Sequence, residues 1–273
     1  MAANYTPYSV QLVDKRTKRP VDDDAGNFMV YTADSPVKAT CYSDANGTSL
    51  TLPGTLTNGY LSFWTAASVT TVDVSVLTST GRAYFLQGLT PSQHRVDVDT
   101  EQNEYTLVAG WAILSAHADA AVSALGFQLQ TGMRIKDVLV QKTSAGVGVG
   151  AGLIVDFGVS GDPDGFIDGI TASSTGYYLN EGVFTNATGA VGGMFVSGVQ
   201  TRGVLITEFG TGLDTATTAG VRGFISRKSY LASLVTTTNN LVFAINGTSA
   251  LTTAVGSKGY VFYTYDLLPT AGN

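Results

Sequence analysis

Residues 69–87, VTTVDVSVLTSTGRAYFLQ, decide the fold class. Residues 69–77 alternate apolar and polar side chains, and residues 82–87 form a second run of strand length. Between them, Ser79-Thr-Gly81 supplies a glycine that accepts the positive φ of a tight turn. Alternation with a period of two that is interrupted by turn residues is typical of an antiparallel hairpin.

The same pattern recurs through the first hundred residues. Asp44-Ala-Asn-Gly47 provides a second turn of the same chemistry. About seven strands in roughly 100 residues is the strand density of a small β-sandwich. The strand-sized runs are residues 8–14, 27–33, 37–43, 59–65, 69–77, 82–87 and 94–98.

The composition disfavours helices throughout. The chain has 273 residues with 36 Thr and 29 Val, but only four Glu and seven Lys. Long charged side chains normally cover the exposed faces of helices, whereas Thr and Val favour strands. The sequence therefore predicts an all-β protein, long enough to bury a core without metal or disulfide.

A polar stretch, residues 97–103, predicts a domain boundary. We expect a small N-terminal β-sandwich over residues 1–102 and a larger, jelly-roll-like β-sandwich over residues 103–273. The alanine-rich residues 115–126 predict a loop or a short helix. The later strands are expected at residues 104–115, 133–143, 193–200, 203–209, 230–237, 240–246 and 259–267.

Charge and hydropathy argue against several partners. The net charge of −6 gives no attraction to nucleic acid or to anionic membranes. The first twenty residues contain no apolar core of an export signal, and no apolar run reaches the roughly 18 residues of a membrane span. A single cysteine, Cys41, cannot form an internal disulfide and is expected to be a small buried residue.

Catalytic groups are scarce. His94 and His117 are the two histidines, and neither lies in a nucleophile motif, so both are interpreted as surface polar residues. A pair of carboxylates that cleaves a glycosidic bond would need no histidine, and the scattered acidic residues leave that alternative open. The sequence predicts no enzyme activity and no cofactor.

Two glycine-containing segments have alternative interpretations. Asp162, Asp164 and Asp168 flank Pro163 and Gly165, which is typical of a turn, but carboxylates at this spacing also suit a hard cation such as calcium. The turn is favoured, and no metal site is assigned. Residues 146–152 alternate glycine with small residues, and the strand-like residues 153–157 follow, which favours a hairpin over a phosphate loop.

One basic cluster stands out near the N-terminus. Lys15, Arg16, Lys18 and Arg19 are followed by the acidic run 22–24, so the two charges cancel at long range. A solvated hairpin tip is one interpretation. The functional alternative is a short-range contact patch on an acidic protein surface, with these four residues as its contacts.

Two stretches resemble virion proteins of tailed bacteriophages. Residues 30–31, 39–50, 57–64, 72–76 and 78–81 are similar to a small β-domain of those proteins, with Leu52-Pro-Gly-Thr-Leu-Thr-Asn-Gly59 as its second turn. Residues 133–140, 154–158 and 161–169 resemble a segment of capsid-associated proteins. The resembled family is that of the capsid decoration proteins, which comprise cement proteins and head fibres.

The resemblance implies a structural role on the outer surface of the virion, after synthesis in the cytoplasm of a bacterial host. The implied partners are the major capsid protein and further copies of the chain, as a homodimer or homotrimer. The N-terminal domain, residues 1–102, is the expected capsid-binding domain, with Lys15, Arg16, Lys18 and Arg19 as its candidate capsid contacts. Tyr260, Phe262 and Tyr263 are the candidate oligomer contacts, although core alternation explains them as well. A tail fibre or receptor-binding adhesin and a polysaccharide depolymerase are the alternatives.

Overall fold

The computed structural model describes most of the chain in ten ranges. They are residues 4–102, 104–113, 122–144, 154–160, 162–171, 175–179, 204–206, 233–234, 238–246 and 255–265. These residues form seventeen β-strands and no helix, which confirms the all-β prediction. The chain divides into two compact units, Met1–Gly110 (unit 1) and Trp111–Asn273 (unit 2).

Unit 1 is a β-sandwich of two sheets. One sheet has the order β4-β1-β7 and the other the order β3-β2-β5-β6. Strand β1 pairs antiparallel with β4 and parallel with β7. The strands are β1 Tyr5–Asp14, β2 Asn27–Thr32, β3 Gly54–Thr55, β4 Tyr60–Ala66, β5 Val72–Leu77, β6 Ala83–Leu89 and β7 Arg95–Val98.

The core of unit 1 follows from alternation along its strands. Tyr8, Val10 and Leu12 of β1 are buried, and Tyr8 stacks on Phe63 of β4 with ring centroids 4.9 Å apart. Val74 of β5, in the opposite sheet, belongs to the same apolar cluster. Each fully buried side chain of this size contributes about 1.5 to 3 kcal/mol, so the inward face stabilises the sandwich.

The expected turns carry the expected backbone conformation. Gly47 has a φ of 83° and Gly81 a φ of 78°. Gly81 closes the β5–β6 hairpin, in which the Thr78 amide donates to the Arg82 carbonyl at 2.8 Å. The hairpin predicted from the alternation at residues 69–87 is therefore present, as the β5–β6 pair.

Unit 2 is a larger double-sheet sandwich. One sheet has the order β14-β13-β10-β17-β8, with β15 also paired to β10, and the other has the order β12-β11-β16-β9. Strand β8, Tyr105–Ile113, begins in unit 1 and ends in unit 2. The other strands of unit 2 are β9 Val122–Leu129, β10 Met133–Ser144, β11 Ile154–Val159, β12 Asp162–Thr171, β13 Gly176–Leu179, β14 Val204–Ile206, β15 Ser233–Leu234, β16 Asn239–Asn246 and β17 Val255–Tyr265.

The strand order of unit 2 is that of a jelly roll. The strands pair as they would in one long antiparallel hairpin that has been rolled up. The pairs are β8 with β17, β9 with β16, β10 with β13, and β11 with β12. The pairs then alternate between the two sheets, which gives the double-sheet architecture. The predicted jelly-roll-like second sandwich is confirmed.

Aromatic packing joins the two layers of unit 2. Trp111 of β8 stacks on Phe243 of β16, in the other sheet, with ring centroids 5.1 Å apart. Phe157 of β11 lies 4.7 Å from Phe243 and 5.5 Å from Phe166 of β12. All four rings are buried, and the Trp111–Phe243 contact is the one of these three that joins the two layers.

The turn expected at residues 162–168 is wrong, because these residues belong to strand β12. Phe166 and Ile167 are fully buried, and their burial outweighs the local turn preference of Pro163 and Gly165. Among the described strands, β12 lies at the edge of its sheet, where a proline is tolerated. Its pairing with β11 contains two register shifts that absorb the irregular residues.

Other strand predictions also differ from the structure. Residues 37–43 form isolated bridges at Lys38 and Tyr42 instead of a continuous strand. The alternation of apolar and polar residues in the sequence does not predict strand β3. Residues 122–126 of the alanine-rich segment lie in strand β9, while residues 115–121, 146–152 and 193–200 lie outside the described ranges.

The two compact units divide within strand β8, at Gly110 and Trp111. The sequence placed the boundary earlier, at the polar residues 97–103. In the part of the chain that the structure describes, no helix has the length and hydrophobicity required to cross a membrane.

Candidate interaction surfaces

The basic cluster forms a turn directly after β1. Asp14 ends the strand, and its Oδ1 accepts hydrogen bonds from the backbone amides of Arg16 at 3.0 Å and Thr17 at 2.5 Å. Its Oδ2 accepts a hydrogen bond from the Thr100 hydroxyl. These donors, led by Thr100, hold the pKa of Asp14 well below its usual range. The Asp14 carboxylate therefore fixes the shape of this turn, residues 15–19, which we call the tip.

The cations of this tip are paired with an acidic segment that lies about 80 residues further along the chain. Lys15 contacts Asp99 at 2.5 Å, Lys18 contacts Asp97 at 2.8 Å, and Arg16 contacts Glu101. The Lys18 and Arg95 side chains that bond Asp97 lower the pKa of its carboxyl. Exposed ion pairs contribute little stability each, but together they make the tip a patch of mixed charge instead of a basic one.

Arg19 differs from its three neighbours. Among the described residues its guanidinium has no ion pair, and the side chain is exposed. The structure therefore places all four candidate contact residues, Lys15, Arg16, Lys18 and Arg19, on one exposed turn. Within the described residues, no ion pair neutralises the charge of Arg19.

The neighbouring acidic run has a structural use. Asp23 is buried, and its carboxylate accepts hydrogen bonds from the amides of Ala25, Gly26 and Ser79 at 2.9 to 3.1 Å. The Asp24 carboxylate accepts the amide of Asn58. These carboxylates hold loops together, so the acidic partners of the basic tip come from residues 97–101.

A second surface lies on the outer face of the β13-β10-β17 sheet. Gln141 of β10 lies directly opposite Tyr177 of β13 and diagonally across from Tyr260 of β17. Its amide nitrogen donates to the Tyr177 hydroxyl at 3.1 Å, and its amide oxygen accepts from the Tyr260 hydroxyl at 3.0 Å. We call these three side chains the tyrosine–glutamine ladder. It spans three adjacent strands and fixes both rings.

The candidate oligomer contacts fall on two faces of β17. Tyr260 and Phe262 are partly exposed on the ladder side, whereas Tyr263 is fully buried. Strand alternation causes this split, because successive side chains point to opposite sides of a sheet. Tyr263 is therefore a core residue, and Tyr260 and Phe262 remain on the accessible side.

Strand β10 also carries a buried lysine. Lys142 is 1% exposed, and its Nζ donates to the Ser144 carbonyl at 2.8 Å. It lies opposite Ser257, whose buried hydroxyl has no hydrogen-bond partner. Burial lowers the pKa of Lys142 to about 8, because the charged form loses its hydration.

The other residues considered for chemistry are dispersed. Cys41 is buried and unpaired, as predicted, and burial raises the pKa of its thiol to about 12. His94 is exposed on unit 1, and His117 lies outside the described residues. Within the described ranges there is no group of three or more potential metal ligands. The backbone of Asp162, Asp164 and Asp168 lies in β12, but their side chains fall outside the described part.

Comparison with known proteins adds no relative. Scans of protein-family models, curated proteins and solved structures each find no match to this chain.

Sequence reasoning missed Gln141, Tyr177 and the acidic partners of the tip. Alternation placed Tyr260 on a strand face, but the register between β10, β13 and β17 decides which residues stand beside it. Likewise, Lys18 and Asp97 meet because β1 and β7 pair in parallel. A local sequence pattern carries no signal for either contact.

Proposed function

We propose that this chain is a non-enzymatic structural protein of a tailed-bacteriophage virion. It is made in the cytoplasm of the bacterial host, binds the major capsid protein on the outer surface of the capsid, and stabilises the shell as a homo-oligomer. The phage assignment rests on the sequence resemblance. The proposed binding mechanism depends on surface side chains that are already held in place before a partner binds.

The tyrosine–glutamine ladder is the observation that carries this proposal. Tyr177 is 38% exposed, yet its hydroxyl is already bonded to Gln141, and Tyr260 is bonded to the same amide. Aromatic side chains held in place lose little conformational entropy when a partner covers them. The ladder, with Phe262 beside it on β17, suits an isologous contact between copies.

The charged tip supports a second contact, with the shell. Three of its cations are held in ion pairs, so the tip has a fixed shape and a mixed charge. Such a patch gives orientation and selectivity more than affinity. Repetition of a weak contact over many copies on a symmetric lattice then supplies tight binding.

The fold itself accommodates two kinds of binding role, since jelly rolls occur in viral capsid proteins and in lectins. The test must separate them. The purified chain is mixed with capsids that were assembled without it, with host cells and with capsular polysaccharide. Co-sedimentation measures the first two mixtures, and release of reducing ends measures the third.

We expect saturable binding to the capsids and a low-resolution particle map with regular extra density on the head. Density confined to the tail, together with binding to cells alone, would contradict the proposal in favour of an adhesin. Release of reducing ends would favour a depolymerase. Arg19→Glu should weaken capsid binding at least fivefold, while Lys38→Glu, at an exposed lysine outside the tip, should not.

A further inference from the structure

Two asparagine–glycine pairs lie in turns of unit 1. Asn46-Gly47 belongs to the turn formed by residues 44–48, and Asn58-Gly59 directly precedes strand β4. Both asparagine side chains are exposed. In the part of the chain that the structure describes, neither side-chain amide takes part in a hydrogen bond. The two pairs are therefore alike in sequence and in the freedom of the asparagine side chain.

An asparagine followed by glycine carries its own modifying chemistry. The backbone nitrogen of the glycine attacks Cγ of the asparagine side chain, and the missing Cβ of glycine leaves this approach open. A bond forms between that nitrogen and Cγ, the bond from Cγ to the side-chain nitrogen breaks, and the amide proton leaves with this nitrogen as ammonia. Water then opens the cyclic imide at either carbonyl, which leaves aspartate or isoaspartate. Water is the only other reactant.

The backbone of the pair must rotate before the attack takes place. The glycine nitrogen has to give up its own hydrogen bond and turn toward Cγ, and neighbouring peptide groups must allow this movement. The rate in the folded chain therefore follows the free energy of local opening. The number and length of the backbone hydrogen bonds at each pair predict which asparagine reacts.

The peptide groups of Asn58-Gly59 are held at four points. Both amides donate a hydrogen bond and both carbonyl oxygens accept one, at 2.9 to 3.0 Å where the bond lies within the backbone. The partners are the Asp24 carboxylate, Gln11 Nε2, the Asp23 carbonyl and the Leu12 amide. The nucleophile of this pair, the Gly59 nitrogen, is thus bonded on a turn that cannot rotate without breaking several bonds.

The peptide groups of Asn46-Gly47 are held at two points. The Asn46 amide donates to the Asp44 carboxylate at 2.8 Å, and the Gly47 amide donates to the Asp44 carbonyl at 3.3 Å. The second distance is longer than an ordinary N–H···O hydrogen bond. Among the described residues, neither carbonyl oxygen of this pair accepts a hydrogen bond. The Gly47 nitrogen is therefore the less restrained of the two nucleophiles.

We propose that Asn46 is a site of spontaneous covalent modification, at which attack by the Gly47 nitrogen converts the asparagine to aspartate and isoaspartate. The fold preserves Asn58, although its sequence has the same chemistry. This inference does not depend on the role in a virion, since both reacting groups belong to one turn of the chain.

The product should disturb the packing around the turn. Isoaspartate adds one carbon to the backbone, and little space is available for it, because even a Cβ at Gly47 would overlap the Tyr5 hydroxyl. The Tyr5 ring packs on Tyr42 with centroids 4.5 Å apart. Ageing should therefore lower the unfolding temperature, and Asn46→Ser, which has no side-chain amide to lose, should prevent the loss. An equal loss in both chains would overturn this consequence.

Ageing of the full chain in mildly alkaline buffer tests the assignment, since base removes the amide proton and speeds the attack. No Lys or Arg lies between Lys38 and Arg82, so trypsin releases both asparagines in one peptide, residues 39–82. Mass spectrometry of its fragments then reports both positions in the same sample. We expect modification at Asn46 to be at least tenfold faster than at Asn58, because two further hydrogen bonds hold the second pair. In urea the two rates should be similar.

A matched pair of variants separates the fold from the sequence. Asp24→Ala removes the acceptor of the Asn58 amide and should speed the reaction at Asn58 about fivefold, with the rate at Asn46 unchanged. Asp22→Ala, at an exposed carboxylate two residues earlier, should change neither rate. The proposal is overturned if Asn46 and Asn58 react equally in the native chain, or if Asn46 reacts in urea alone. An unchanged Asn58 rate in Asp24→Ala would overturn the explanation by hydrogen bonding.

Discussion

The hydroxyl of Tyr260 donates to the side-chain oxygen of Gln141 at 3.0 Å, across the pair of strands β17 and β10. The same amide bonds Tyr177 on the other side, so one glutamine orients two aromatic rings. This arrangement gives unit 2 a fixed, partly exposed aromatic face, and it is the relationship on which the proposed self-association depends.

Gln141→Leu should separate self-association from folding. The substitution removes both hydrogen bonds, and since these are partly solvated, we expect a loss of about 1 kcal/mol in the free energy of unfolding. The oligomer should weaken more, at least tenfold in dissociation constant, because both tyrosine rings lose their anchor. Sedimentation equilibrium measures this change. Thr143→Leu, two residues along and exposed, is the control.

The buried lysine predicts an unusual pH dependence. The pKa of Lys142 is about 8 in the folded chain, below the value of roughly 10.4 for an unfolded lysine. The unfolded state therefore binds more protons between these values, and stability should rise as the pH increases from about 8 to about 10. Lys142→Met should raise stability at pH 7 by roughly 1 kcal/mol and abolish that rise.

Urea unfolding at several pH values measures this effect. Lys258→Met is the matched control, since Lys258 lies in the partner strand β17. A rise that persists in Lys142→Met would assign the effect to another group.

Asp14 should dominate the acid sensitivity of the tip. The pKa of its carboxyl is lowered in the folded chain by hydrogen bonds from Thr100, Thr17 and Arg16. Its stabilising contribution is therefore complete above the unfolded value near 4 and is lost as the pH falls below it. Asp14→Asn should lower the unfolding temperature at pH 7 and flatten its decline in acid. Asp22→Asn, at an exposed carboxylate, should do neither.

Two glycines with similar backbone angles provide a test of packing. Gly59 has a φ of 71° and Gly88 a φ of 66°. A Cβ at Gly59 would overlap the carbonyl oxygen of Val21, whereas nothing lies within 4 Å of one at Gly88. Gly88→Ala should lower the free energy of unfolding by about 1 kcal/mol, from backbone strain alone. Gly59→Ala should lower it by at least about 2 kcal/mol more, because the new Cβ also overlaps Val21. Equal losses in thermal denaturation would contradict this account.

Cys41 should be inert in the folded chain. Burial raises the pKa of its thiol to about 12, so almost no thiolate is present at neutral pH. Iodoacetamide should modify it only after unfolding, at the rate of global opening. Mass spectrometry of the native and urea-treated chain measures the difference, and rapid native labelling would show that the thiol is accessible.

Much of the fold is determined locally. The alternation at residues 69–87 and the glycine at Gly81 specify the β5–β6 hairpin, because side-chain period and turn geometry are properties of neighbouring residues. Segment 162–168 shows where local preference fails. Pro163 and Gly165 favour a turn, but the burial of Phe166 and Ile167 makes the segment a strand.

The sequence by itself determined the all-β class, most strand positions of unit 1 and the buried state of Cys41, since these depend on composition and short-range periodicity. Only the tertiary structure decided that Gln141 stands between Tyr177 and Tyr260 and that Lys18 meets Asp97. Pairing register and sheet order join residues that are tens to over a hundred positions apart, and no local pattern encodes that choice.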